Sequence, residues 1–212
     1  MTIASSRSDN EALESILNRL RAAFFPYFDG EGRFCWDCRD TRTVIWLNDG
    51  VVAKAGRLLR RIPLSFQFTQ NQSFDEVLAK LSNPFYKNDT WVRGEVVDVY
   101  RVLRQHGYMC SIEARTDAGL AGAVLGIDLG ECFIVETMLS VASEGSKAAL
   151  CHAVEKFAAS GYPFIDVQRP HPPDHPCARL LEETMPIDAY RTMLTRTLAR
   201  GEMRRSAAGP VC

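Results

Sequence analysis

No apolar run in the chain approaches the ~18 residues a membrane-spanning helix needs, and neither a G-x-x-x-x-G-K-[ST] phosphate loop nor an H-E-x-x-H metal motif is present. Those absences exclude a helical span and remove two common routes to an activity. The opening MTIASSRSDNEALES has neither the basic start nor the apolar stretch of a secretory signal, so a cytoplasmic protein with no membrane partner is expected. Charge of one sign is also missing: 25 basic and 26 acidic residues leave a net charge of −1. No global basic field marks a nucleic-acid binder, and a DNA partner is not expected. Lysine is scarce, at 5 residues against 20 arginines. A GC-rich genome gives the same bias, but the clusters Arg57, Arg60, Arg61 and Arg191, Arg196, Arg200, Arg204, Arg205 keep phosphate binding open.

Cysteine is present in an odd number, 7, which argues against a disulfide framework. Cys35 and Cys38 form a C-x-x-C, yet no second pair lies near enough to complete a structural zinc site. The motif also precedes a strand instead of joining strand to helix, as a thioredoxin-like site does. No metal site is expected. His171 and His175, flanked by prolines, read as loop histidines and not as ligands.

What is there is a well-patterned α+β chain. Ser8 to Glu11 fits a capping box before a helix with Leu13, Ile16, Leu17 and Leu20 on one face. Residues 43–47 read as a strand, and Asp49-Gly50 as a hairpin turn. The loop at 48–50 is therefore the expected boundary between a small N-terminal lobe (1–50) and a larger domain (51–212) ending in an arginine-rich tail. Residues 65–69 predict a second strand, and Ser73 to Glu76 a second capping box. A helix follows with Val96, Tyr100 and Leu103 at core spacing, closed by Gly107. YMCSIEA, LAGAVLGIDL and ECFIVETML predict an antiparallel meander, then come a helix over 146–159 and a short buried strand in YPFIDVQ.

Three sets of residues carry chemistry. Glu136 lies in a strand otherwise apolar on both sides, so its carboxylate is either paired or faces a cleft. Asp166 and Gln168 alternate with apolar neighbours and are expected on one face of their strand, where a carboxylate orients an amide. Trp36 and Trp91 are either core residues or platforms on which a base stacks.

The order helix, three antiparallel strands, helix, strand, helix is that of a GNAT-type acyltransferase, a small α/β lobe preceding a mainly antiparallel mixed sheet. The acetyl-CoA turn of such enzymes is replaced here by LSVASEGSK, so acyl-CoA is not the obvious donor. The ordered set TWVRGEVVDVYRVLRQHGYMCSIEAR, LAGAVLGIDLGECFIVETMLS, GSKAAL and YPFIDVQ resembles the bacterial leucyl/phenylalanyl-tRNA–protein transferase family. Thr90, Trp91, Tyr100, Glu113, Glu136, Ser146, Lys147, Asp166 and Gln168 fit in register, and upstream Pro26, Trp36 and Arg42 are retained. The chain departs from the family pattern where WWSP reads CWDC and GESMF reads VETML.

The resemblance implies a GNAT-like domain that binds the aminoacylated 3′ end of a tRNA as co-substrate, with no further cofactor. It implies transfer of the aminoacyl group to an amine, classically the N-terminus of a protein beginning with Arg or Lys. Trp36 and Trp91 would hold the terminal adenosine, and Ser146 and Lys147, at the matching helix start, would also bind the aminoacylated tRNA end. Arg57, Arg60 and Arg61 would meet tRNA phosphates. Glu136 would stand on the acceptor side, with Asp166 and Gln168 positioning the attacking amine. Two alternatives remain: tRNA-dependent aminoacylation of a small-molecule amine, and acyl-CoA-dependent N-acyl transfer.

Overall fold

Helical spacing of buried apolar residues and strand alternation sort the chain into a mixed α+β fold, seen in a computed structural model that describes residues 3–29, 31–86 and 91–208, with side chains within 10–201. Helix α1 (Ile3–Arg21) buries Leu13, Ile16, Leu17 and Leu20. It begins five residues before Ser8, which is therefore inside the helix and not its cap. Strands β1 (Phe25–Phe28) and β2 (Phe34–Asp37) pair as a separate two-stranded sheet. Strand β3 (Thr41–Trp46) belongs to the main sheet, between two strands from the far end of the chain.

The hairpin expected at Asp49-Gly50 is instead the start of helix α2 (Asp49–Arg61). Asn48 caps it, its side chain accepting the Val51 N–H at 3.0 Å, and Val51 and Ala55 repeat on the buried face. Helical periodicity over thirteen residues outweighs a two-residue turn signal. Next come β4 (Gln67–Gln70), α3 (Phe74–Leu81) and α4 (Gly94–Gln105). Ser73 precedes α3 but makes no capping bond; its hydroxyl instead accepts from the Arg115 guanidinium.

The meander is as expected: β5 (Met109–Thr116), β6 (Gly119–Asp128) and β7 (Phe133–Ser140) pair antiparallel. Helix α5 (Gly145–Ala159) returns the chain to β8 (Phe164–Asp166), which pairs parallel to β7. A 3-10 turn (Ala178–Leu180), β9 (Glu183–Pro186) and α6 (Ile187–Ala208) complete the fold. The seven-stranded sheet runs β4-β5-β6-β7-β8-β3-β9, antiparallel except at β7–β8.

Alternate residues of each strand feed opposite cores. Val44, Met109, Ile134 and Phe164 pack with α1, α3, α4 and α6; Ile45, Cys110, Val135 and Ile165 pack with α2 and α5. One break in this alternation matters for the site. Thr137 pairs with Leu125 and Val135 with Gly126, so Glu136 is the extra residue of a β-bulge. Gly126 is required beside it, because a Cβ there would stand 2.3 Å from the Phe133 ring and 2.5 Å from the Ile134 carbonyl. Among the described residues, no helix is long and apolar enough to cross a membrane.

Candidate active site

The bulge turns Glu136 out of the regular alternation and toward α4. There the Tyr100 hydroxyl donates to Oε2 at 2.8 Å, and the Gln168 amide donates to Oε1 at 3.1 Å. The carboxyl group is buried, and burial pushes its pKa up to about 7, against the pull of the Tyr100 hydrogen bond and the Arg42 charge. A carboxyl poised there changes charge in the range where proton transfer at neutral pH is efficient.

Gln168 lies just past the end of β8, with φ at +68°. This left-handed turn takes it off the strand, so Asp166 and Gln168 do not share a strand face as the alternation predicts. Its Nε2 donates to the Val135 carbonyl at 3.0 Å as well as to Glu136. Both partners are acceptors, which fixes the amide orientation. With both amide hydrogens committed, Oε1 is left as an acceptor for an incoming N–H.

Asp166 has a different position. It is fully buried, Oδ1 accepting the backbone N–H of Gln168 at 2.7 Å and Oδ2 accepting from Arg42 Nε at 2.8 Å and the Tyr190 hydroxyl at 2.5 Å. It orients the backbone of Gln168, not its amide. Burial alone would lower the pKa of Arg42, but the Asp166 carboxylate, with Tyr190 and Glu136, more than offsets this and holds it above the usual value. Arg42 Nη1 is buried with no hydrogen-bond partner, so this pair is incompletely satisfied.

These groups border a cleft of about 670 Å³. Val135 to Met138 form one side and Gln168 to Pro172, with His175 and Cys177, another; Phe25, Tyr27, Arg39 and Trp91 close the rest. Of the residues expected at the site, Glu136, Gln168 and Trp91 line the cleft and Asp166 stands directly behind Gln168. The Trp91 ring, half-buried, meets Tyr100 edge-on at 6.3 Å. Thr90 lies outside the described residues.

The others lie elsewhere. Trp36 sits on β2 opposite Pro26, beneath the Arg19 guanidinium at 5.4 Å, beside the strand that supplies Phe25 and Tyr27 but not in the cleft lining. Arg57, Arg60 and Arg61 are exposed on α2. Ser146 and Lys147 open α5, Lys147 ion-pairing with Glu144. That helix start is pressed onto β6, since a Cβ on Gly122 would fall 2.3 Å from the Gly145 carbonyl carbon.

Tyr100, Arg42 and Tyr190 are the functional neighbours that pattern reading missed. Tyr100 was legible only as a core position, although a buried phenol needs a partner. An arginine alternating into an apolar strand, as in TRTVIW, was the signal for Arg42.

The sequence model of the leucyl/phenylalanyl-tRNA–protein transferase family matches residues 44–195. Chains from several bacteria that carry that name are similar to this one. The Hahella chejuensis protein is 34% identical over 160 residues, covering 73% of this chain and 68% of that one. The Gloeobacter violaceus protein is 32% identical over 157 residues (73% and 79%), and the Syntrophus aciditrophicus protein 28% over 194 residues (89% and 78%). Among solved structures, the C-terminal domain of a putative lysylphosphatidylglycerol synthetase from Agrobacterium fabrum aligns over 66% of this chain and 50% of that one, with 11% identity and a TM-score of 0.43.

Proposed function

Because the chain belongs to the leucyl/phenylalanyl-tRNA–protein transferase family, we propose that it moves a leucyl- or phenylalanyl-type group from the 3′ end of a tRNA to the α-amine of a protein. The acceptor protein begins with Arg or Lys. The carrying observation is Gln168, whose amide is held by Val135 and Glu136 with Oε1 left to accept from an amine.

The aminoacyl ester is already activated, so the protein's task is chiefly alignment. The acceptor amine donates to Gln168 Oε1 and adds to the ester carbonyl carbon. The N–C bond forms, the C–O bond to the ribose breaks, and the ribose oxygen takes a proton in place of the one the amine loses. Glu136 stabilises positive charge on the amine while ionised and holds a proton when the charge is lost. Asp166 is a positioning residue, acting through the Gln168 backbone.

Trp91, in the cleft lining, stacks on the terminal adenosine; Trp36, on β2 outside that lining, has the lesser part in holding it. Arg57, Arg60 and Arg61 meet tRNA phosphates, and Ser146 and Lys147 sit near that path. We read the domain as GNAT-like, with aminoacyl-tRNA as co-substrate and no cofactor taking part in the transfer step. The order α4, β5–β7, α5, β8 supports that reading, and so does the single parallel pair at β7–β8.

Incubating the protein with labelled, individually charged tRNAs and peptides of defined N-terminus tests the function. Label should pass from leucyl- or phenylalanyl-tRNA to Arg- and Lys-peptides. Label released only to an added small amine, or transferred from acyl-CoA instead, would replace this reading.

A further inference from the structure

The wall of the cleft formed by residues 169–177 holds a cluster that the transfer chemistry does not use. His171, His175 and Cys177 place ligating atoms within 4.8 Å of one another, the one such group of three found among the described residues. Their sequence spacing is i, i+4, i+6 without a helix. Pro170, Pro172, Pro173 and Pro176 restrict this segment instead, which lowers the cost of ordering it. The two rings stack at 4.1 Å, and Cys177 is buried. Glu182 clamps the cluster: it accepts the His171 backbone N–H at 2.7 Å and faces His171 Nδ1 at 3.0 Å.

We propose that His171, His175 and Cys177 bind one zinc ion, with its fourth coordination position open to the cleft. Two imidazoles and a thiolate suit zinc or another borderline-soft divalent ion and disfavour magnesium and calcium. Glu182 accepts a hydrogen bond from the His171 Nδ1–H, which fixes the tautomer and leaves the Nε2 lone pair for the metal in the carboxylate–histidine–metal arrangement. On binding, the Cys177 S–H bond breaks, an S–Zn bond forms and the proton passes to solvent. Coordination by His175 gives up the long 3.2 Å hydrogen bond that its Nδ1 accepts from the Cys177 N–H. Zinc bonds of about 2.0–2.3 Å in a tetrahedron separate ligands by roughly 3.3–3.8 Å. The three side chains therefore close by roughly an ångström, and the rings leave their parallel stack. All three ligands line the cleft, so the bound ion would pin the wall that begins at Gln168.

The test is binding of Co²⁺, as an optical stand-in for zinc, to the reduced full-length protein after chelator treatment. One equivalent should give a thiolate-to-cobalt charge-transfer band with tetrahedral d–d bands, both removed by adding Zn²⁺. The charge-transfer band should vanish in Cys177→Ser and survive in Cys35→Ser with Cys38→Ser. His171→Ala, at a half-buried position, should lose the d–d bands and weaken binding at least about tenfold while keeping its circular dichroism. No charge-transfer band, its persistence in Cys177→Ser, or unchanged affinity in His171→Ala would overturn the proposal. The readout needs no tRNA, so its failure is distinct from failure of the transferase reading.

Discussion

The Asp166 carboxylate accepts the backbone N–H of Gln168 at 2.7 Å, and Gln168 stands in a left-handed conformation at φ +68°. The same carboxylate neutralises the buried Arg42. One side chain thus joins the core charge balance to the residue that aims an amide into the cleft.

Asp166→Asn keeps the shape and leaves the Arg42 charge uncompensated. A cost on the order of 3–5 kcal/mol in urea unfolding is expected, as for other broken buried pairs. A change below about 1 kcal/mol would mean the pair contributes little net stability and that Arg42 is balanced by other groups.

Burial raises the pKa of Glu136 in the folded protein to about 7, against 4.5 for a solvated glutamate. Its pKa is raised on folding, so its contribution to stability is fully present below the unfolded value and is lost as pH rises through about 7. Glu136→Gln should flatten that part of the stability profile and stabilise the protein at pH above 7 by on the order of 3 kcal/mol. The same variant should lose the acidic limb of the transfer rate near neutrality. Parallel stability profiles in the two proteins would show that Glu136 does not titrate there.

Trp91 lines the cleft and Trp36 does not. Trp91→Ala should weaken aminoacyl-tRNA binding by roughly 1–3 kcal/mol through lost stacking, and more than Trp36→Ala does. Equal affinities for wild type and Trp91→Ala, measured by filter binding, would return Trp91 to a packing role.

If Arg60 and Arg61 meet phosphates, replacing both with glutamine should reduce the slope of log affinity against log salt by up to about two. An unaltered slope would place the tRNA backbone on another surface.

The parts of this fold that were legible are those set by local periodicity. The β5–β7 meander and α5 follow from strand alternation and helical spacing closed by glycine turns. Helix α2 was hidden by Asp49-Gly50, because that dipeptide suits a hairpin while the deciding apolar repeat lies downstream. Glu136 was legible as an anomaly, a carboxylate in an apolar strand, but its direction depends on a bulge set by pairing with Leu125 and Gly126. The Arg42–Asp166–Tyr190 contact joins three segments more than twenty residues apart in sequence, so no local pattern carries it. Alternation singled out Asp166 and Gln168 as a pair and the family resemblance gave them roles; neither supplied their division of labour, which rests on the turn at Gln168.

The most direct test compares transfer from leucyl- or phenylalanyl-tRNA to an Arg-peptide by wild type and Gln168→Ala, at saturating tRNA. Loss of an oriented polar group in an active site predicts a fall in rate of about 10²–10³, with tRNA affinity and unfolding midpoint nearly unchanged. A wild-type rate in Gln168→Ala would contradict the account, because the amine would then be aligned without the Gln168 amide oxygen.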